Sequence, residues 1–448
     1  MGIVPCPLAC HTDNDFESNA NRRQQQQILH SELGSSLSSQ PSLPSVPSLT
    51  PQPSQRNHHH HHHHPTPPAA YHCISTLKGH SSYVFSLALA GKFLYSGSLD
   101  REIRSWPRHP PLSNTPNPNL NSSSSNNNVV AVGNGAVKSL VFSGDKLFSA
   151  HQDHKIRVWH IDNINQDKNM YKLLATLPTL SDRVLRLLLP NNHVQVRRHK
   201  KCTWVHHVDT ISALALSRDG SLLYSVSWDR TFKVWRTSDF KCLESVSNAH
   251  DDAINALALS NDGYLYTGSA DTKIKVWGKG MGKGKGELRG DKKHSLVATL
   301  EKHKSTVNAL ALTTDGSVLY SGACDRSIVV WEKDSSAAAG GSGGGEHMVV
   351  VGALRGHTKA ILCLAVVSDL VCSGSADKTV RIWKRSVEKS YSCLAVLEGH
   401  SGPVKCLTAA VDRNDSLITT SAYSTSYLVY SGSLDCDIRV WQILVPFP

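Results

Sequence analysis

The residues in this chain with the most chemical potential are His, Ser or Thr, Asp and Trp, and they recur at fixed spacing. Seven Asp each stand six residues before a Trp: Asp100 and Trp106, Asp153 and Trp159, Asp229 and Trp235, Asp271 and Trp277, Asp325 and Trp331, Asp377 and Trp383, Asp435 and Trp441. Four residues before each Asp is a hydroxyl: Ser96, Ser149, Ser225, Thr267, Ser321, Ser373 and Ser431. A His stands 20 to 22 residues before the Asp in five cases, His80, His207, His250, His303 and His357. His400 precedes Asp435 by 35, so an insertion lies between them, and only the second unit lacks the His, with Gly133 in its place. Hydroxyl, imidazole and carboxylate are the parts of a nucleophilic triad for acyl transfer. They are equally the parts of a hydrogen-bond chain, in which Trp donates, hydroxyl and imidazole donate and accept, and carboxylate accepts. Catalysis needs one copy, and six or seven are present. The constellation therefore reads as a repeated structural network, and no catalytic residue is assigned.

The elements that must position these groups are short strands. In Gly356 to Trp383, GHTKAILCLAVVSDLVCSGSADKTVRIW, an apolar run from Ile361 to Val367 is followed by a polar break and a second run ending at Ser373. A tight turn from Gly374 to Asp377 and a third strand, Val380 to Trp383, close the unit. Strands such as LALALS and ILCLAVV are apolar throughout, as expected when both faces are covered. A further apolar stretch precedes each later His, such as CLAVL before Gly399-His400 and LVATL before His303.

These units resemble the WD40-repeat family, from about His72 to Trp441, and details such as SAHQDHKIRVW and GACDRSIVVW are similar to plant JINGUBANG-type WD40 proteins. The residue after each repeat Trp is Pro107, His160, Arg236, Gly278, Glu332, Lys384 or Gln442, never Asp, and Trp228-Asp229 falls in a turn rather than at the signature dipeptide. The resemblance implies an all-β, seven-bladed propeller of four-stranded blades, monomeric and without metal or cofactor. It also implies that Cys73 to Leu77 closes the ring against Ile438 to Trp441, because ILVPFP after Trp441 makes no convincing strand of its own. The second blade, lacking the His, is expected to be the least firmly tied.

Ahead of the ring, residues 1–70 are rich in Ser, Pro, Gln and His and include seven consecutive His, His58 to His64. Such a stretch cannot bury enough apolar surface to offset ordering and reads as a disordered tail, leaving residues 71–448 as the propeller. Thr50 and Thr66 each precede a Pro. The N-terminus has no basic start ahead of an apolar core, so no secretory signal is read, and no apolar run reaches 18 residues, so no membrane span is expected. Eleven scattered Cys without a pairing pattern suit reduced thiols in cytoplasm or nucleus. The net charge is +11; the tail holds three Arg and four acidic residues, so the basic excess lies on the ring.

By family geometry, bottom-face insertions run from Pro107 to Asn128, Gly278 to His294, Asp334 to Glu346 and Ala410 to Ser426. Thr179 to His206, with the basic run Arg197, Arg198, Lys200 and Lys201, is assigned to the top face. Two sets of positions line the top opening. One reads Phe85, Lys138, Ser212, Asn255, Asn308, Leu362, Lys405; the other reads Leu99, Gln152, Trp228, Ala270, Cys324, Ala376, Leu434. No Arg occurs among them, unlike phosphopeptide readers, and Phe85, Leu99, Trp228 and Leu434 are candidate apolar anchors flanked by Lys138 and Lys405. The leading function is a non-catalytic interaction scaffold of regulatory role that binds a protein partner on the top face. One alternative is a substrate receptor of a cullin-type ubiquitin ligase, from Arg108 and Arg385 two residues after a repeat Trp. The other is nucleic-acid binding through the Gly/Lys loop and Arg197 to Lys201, whose runs lack interleaved aromatics.

Overall fold

The computed structural model describes residues 46–50, 69–109, 128–162, 170–187, 193–197, 200–279, 293–333, 348–386, 389–412 and 424–446. Seven antiparallel sheets of four strands each make the propeller. Blade 1 runs from Val84–Ala90 through Phe93–Ser98 and Glu102–Pro107 to an outer strand, Val129–Val132. Blades 2 to 6 repeat this order, with innermost strands Val137–Ser143, Ile211–Leu216, Ile254–Leu259, Val307–Leu312 and Ile361–Val367. Blade 7 takes three strands from the C-terminal end, Val404–Val411, Ser424–Ser433 and Ile438–Pro446, and its outer strand from the N-terminal side, Ala70–Leu77.

The closing strand pairs from Leu77 with Ile438 to Ala70 with Leu444, longer than the expected Cys73 to Leu77. The ILVP stretch is no separate strand. It continues the third strand of blade 7 as far as Pro446 opposite Ser424, alternately burying Ile443 and Val445. Pro is admissible there because the strand ends at that residue.

Apolar clusters lie between neighbouring blades. The innermost strand of one blade presses on the middle strands of the blade before it, so both sheet faces are dry and the strands can be apolar throughout. A glycine in the second strand gives that approach its room. At the ring seam, a Cβ on Gly432 would sit 2.8 Å from Val84 Cγ1, so blade 7 can close on blade 1 only with no side chain there.

The expected insertions from Pro107, Gly278 and Asp334 do fall between third and fourth strands, and that from Ala410 between first and second, as the flanking strands show. Most of their residues lie outside those described. So does most of the stretch 1–70, with a correction at one point: Val46 to Thr50 lie against the ring and do not belong with an unstructured tail. Ser48 forms a parallel bridge with Ala353 of blade 5. Nothing in the local pattern signals this, because a five-residue apolar-Pro segment is unremarkable until its partner strand is known. Among the described residues, no helix is long and apolar enough to cross a membrane.

Candidate partner-binding face

The repeated network forms as its residue types require. In blade 6, Trp383 Nε1 donates to Ser373 Oγ at 2.9 Å, Ser373 Oγ lies 2.8 Å from His357 Nε2, and His357 Nδ1 lies 2.8 Å from Asp377 Oδ2. Blades 1, 3, 4, 5 and 7 repeat it through His80, His207, His250, His303 and His400, with every link between 2.7 and 3.1 Å. With its proton on Nδ1, each imidazole donates to the carboxylate and accepts from the hydroxyl, so the chain runs one way from Trp to Asp. This is the connectivity of a hydrolytic triad, yet the hydroxyls are fully buried and each also accepts from the indole. No substrate carbonyl can reach them. Burial alone would raise these carboxyl pKa values, but the His hydrogen bond and charge outweigh it, holding Asp271 at about 2 and Asp100 and Asp325 below the usual range. His80, Asp100 and Glu102 also place three donor atoms within 4.8 Å of one another, but Ser96, Asp100 and Arg104 already occupy them.

Blade 2 corrects an expectation. Gly133 does replace the missing His, but the blade is not left untied, because His151, two residues after Ser149, takes the role over. His151 Nε2 lies 2.8 Å from Ser149 Oγ, and Trp159 Nε1 donates to that same oxygen at 2.8 Å. His151 Nδ1 donates to Gly135 O at 3.0 Å, the bond that Ser98 Oγ makes to Ser82 O in blade 1. A Cβ on Gly133 would lie 2.5 Å from His151 Cε1, so the glycine is what admits the ring. Asp153 leaves the network and pairs with Arg157 instead.

Burial, ahead of its neighbours' smaller effects, pushes the His151 pKa down to about 4. The unfolded chain then binds the extra proton between about pH 6.5 and 4, so this residue's contribution is complete above 6.5 and is lost as pH falls through that window. Acidification from pH 7 to 5 is expected to cost about 2 kcal/mol at this one site. Thermal melts of the wild type and His151→Gln at both pH values check it; an equal pH response in the two chains would refute the assignment.

At the same end of the ring lies the mouth of the channel. The residue before each repeat Asp is held by its backbone to the entry of the first strand: Leu99 N donates to Tyr83 O, Trp228 N to Thr210 O and Leu434 N to Pro403 O, at 2.9 to 3.0 Å. These positions therefore circle the opening in every blade. Three of the candidate residues meet directly. Lys138 Nζ lies 3.6 Å from the centroid of the Phe85 ring and 5.8 Å from that of Trp228, a cation between two aromatic faces from blades 1 and 3. Burial first, then the like charge of Lys405, brings the Lys138 pKa down to about 7. Leu99 and Leu434 are partly buried at the same rim. Tyr83, 36% exposed and edge-on to Phe85 at 6.4 Å, extends the patch. Sequence reasoning passed over it, although its place just before Val84 marks it as an entry-loop residue.

Five other rim residues have structural roles. Asn255 Nδ2 donates to Val307 O at 3.3 Å and Asn308 Nδ2 to Ile361 O at 3.0 Å, and Ser212 Oγ donates to Ile254 O, each stapling its blade to the next. Leu362 and Ala376 are buried with Ala360. The half of the mouth over blades 3 to 6 is thus consumed in holding the ring, and the half over blades 7, 1, 2 and the Trp228 turn presents side chains.

The insertion after blade 2 differs from expectation. A helix, α1, spans Leu180–Leu187, and its buried Asp182 accepts from the amide of Cys242 at 3.0 Å. Cys242 opens the outer strand of blade 3, so the helix is tied to the flank of that blade rather than converging with Phe85 and Trp228. His193–Arg197 and Lys200–Thr203 then form a hairpin in which Arg197 pairs with Lys200 and Gln195 with Lys201; Arg198 lies outside the described residues. Arg108 and Arg385 sit at the other end of the ring. Arg385 bonds Glu332 of blade 5, and Arg108 Nη2 donates to Val411 O of blade 7 at 3.3 Å.

The family described as WD domain, G-beta repeat, matches residues 71–107, 199–236, 240–278, 294–332, 348–384 and 391–442, together more than half of the chain. The chain is 24% identical over 154 residues to mitochondrial division protein 1 of Schizosaccharomyces pombe, covering 34% of this chain and 22% of that protein. It is 31% identical over 120 residues to the probable cytosolic iron-sulfur protein assembly protein 1 of Chaetomium globosum, covering 23% of this chain and 26% of that protein. The chain thus spans about a quarter of the length of these relatives. Blade 2, where His151 replaces the usual His, is absent from the family match.

Proposed function

Because the chain belongs to the WD40-repeat family, whose propellers generally mediate protein interactions, we propose that it is a non-catalytic scaffold with a regulatory role. In this reading it grips a protein partner at the channel mouth over blades 7, 1 and 2 and the Trp228 turn. The observation that carries the reading is the Phe85, Lys138 and Trp228 cluster. Aromatic area in a concave site supplies anchoring. An ammonium held near neutrality gains most when an acidic or carbonyl-rich segment arrives to restore its charge. The finer likeness to plant JINGUBANG-type proteins and a site of action in cytoplasm or nucleus belong to this proposal. The unpaired, buried Cys363 and Cys372, their thiols pushed up to about 12 by burial, support a reducing compartment. The ligase-receptor reading loses support because Arg108 and Arg385 are engaged within the ring. The nucleic-acid reading rests on the Gly/Lys loop, most of which lies outside the described residues, and on the Arg197 to Lys201 run.

Proximity labelling with the full chain, the Trp228→Ala and Phe85→Ala variants, and a deletion of residues 280–292 at the opposite end tests the reading. Each point variant is expected to weaken partner binding by about 2 kcal/mol or more, with the ring still melting cooperatively. An acidic partner raises the Lys138 pKa on binding, so binding takes up a proton and is expected to be tighter at pH 6 than at pH 8. Unchanged labelling by both variants, with loss in the deletion, would place the site at the other end.

A further inference from the structure

Beyond the channel mouth, the flank of blade 5 is shaped unlike that of any other blade. The residue four after the repeat Asp is basic in six blades: Arg104, Arg157, Lys233, Lys275, Arg381 and Arg439. In blade 5 it is Val329, fully buried. On the neighbouring outer strand, Met348–Leu354, Gly352 stands where blades 2, 4 and 6 carry Ala175, Ala298 and Ala395. Ala353 stands beside it, where those blades carry Thr176, Thr299 and Val396. Basic and bulky side chains have thus been exchanged for a smooth apolar notch.

The chain's own Val46 to Thr50 fills that notch as an added strand. Ala353 N donates to Pro47 O at 2.9 Å, Leu49 N donates to Ala353 O at 3.0 Å, and Tyr391 N, on blade 6, donates to Leu49 O at 3.2 Å. Val46 is buried in the cluster that holds Val329, Met348 and Ala353. Leu49 packs on the cluster of Leu354, Tyr320 and Tyr391. A Cβ on Gly352 would stand 2.5 Å from Leu49 Cγ and 2.9 Å from Pro47 O, so the glycine is what seats this segment. Pro47 exposes its ring and uses only its carbonyl, so the missing amide costs no ladder bond.

We propose that this flank is a peptide-docking site that reads an extended Val-Pro-Xaa-Leu segment of a protein partner by strand addition, and that residues 46–49 occupy it in cis. Main-chain bonds to Ala353 and Tyr391 supply affinity, and the two apolar seats, three residues apart, supply specificity. Residues 51–69 tether the internal segment, so its effective concentration reaches the millimolar range, and a partner segment gains the site only by displacing it.

The test uses a fluorescein-labelled peptide of residues 43–52, titrated by fluorescence polarisation into full-length chains. The wild type is expected to bind it weakly. Val46→Asp/Leu49→Asp, which empties the notch, is expected to bind about tenfold tighter or better. Adding Gly352→Val, or placing Asp at Leu49 of the peptide, is expected to remove binding. Failure of the peptide to bind the folded double variant, or equal binding with and without Gly352→Val, overturns the proposal. If the double variant does not fold, Gly352→Ala decides. It installs the residue of blades 2, 4 and 6, and is expected to speed hydrogen exchange at the Leu49, Ala353 and Tyr391 amides without gaining peptide binding, because the same Cβ meets Leu49 of either segment; unchanged exchange overturns the proposal.

Discussion

Removing residues 1–77 is expected to lower the melting temperature of the ring, whereas removing residues 1–69 leaves the ring intact apart from the vacated flank of blade 5. The difference is one strand. Ala70–Leu77 forms seven residue pairs with the third strand of blade 7. At about 1 kcal/mol net per ladder hydrogen bond, its loss costs on the order of 5 kcal/mol. It also bares the backbone edge beside Trp441, a row of unpaired groups that invites aggregation. For a domain of this size, the melting temperature is expected to fall by roughly 6 °C, with precipitation during refolding. Equal melting of the two truncations, followed by circular dichroism, would show that the outer strand is dispensable and that three strands suffice for the last blade.

The second large effect concerns blade 2. Gly133→His alone is expected to be severely destabilising, because its Cβ already falls 2.5 Å from His151. His151→Ser alone leaves Ser149 Oγ without its imidazole and opens a void, a loss of about 2 to 4 kcal/mol. The two together restore the arrangement of blades 1 and 6. His at 133 stands 16 residues before Ser149 and 20 before Asp153, as His80 does to Ser96 and Asp100 and His357 does to Ser373 and Asp377. Ser at 151 matches Ser98 and Ser375, which bond the carbonyls of Ser82 and Lys359. The double variant is therefore expected to recover most of the lost stability, with a favourable coupling of about 2 kcal/mol or more in a double-mutant cycle by urea unfolding. Additive losses would mean that His151 does not stand in for the missing His. Hydrogen exchange at Ser149 to His151 in the wild type is expected to match that at Ser373 to Ser375, since both turns are tied.

The rim cluster was half legible. Phe85, Lys138 and Trp228 were marked by their offset from the first-strand Val or Ile and from the repeat Asp. That a lysine would lie across the Phe85 ring depended on side-chain directions from three blades meeting at one axis. The staple roles of Ser212, Asn255 and Asn308 were hidden for the same reason, because each acceptor carbonyl belongs to the following blade.

What the sequence determined by itself was the periodic part: seven blades, the Trp-to-Asp hydrogen-bond chain in six of them, and the borrowed outer strand that closes the ring. The first two rest on contacts within one repeat, so fixed spacing encodes them, and the closing strand follows because a blade lacking its fourth strand leaves an unpaired edge. The tertiary structure decided the exceptions. His151 could replace the missing imidazole because it approaches the Gly133 site from a different strand, a matter of direction and space that spacing does not record. Val46 to Thr50 found blade 5 some 300 residues away in sequence, because only there do Val329, Gly352 and Ala353 leave an apolar notch deep enough to bury Val46 and seat Leu49. No local pattern joins two such distant segments. The folded ring brings them together, and the area they bury offsets the entropy of ordering the chain.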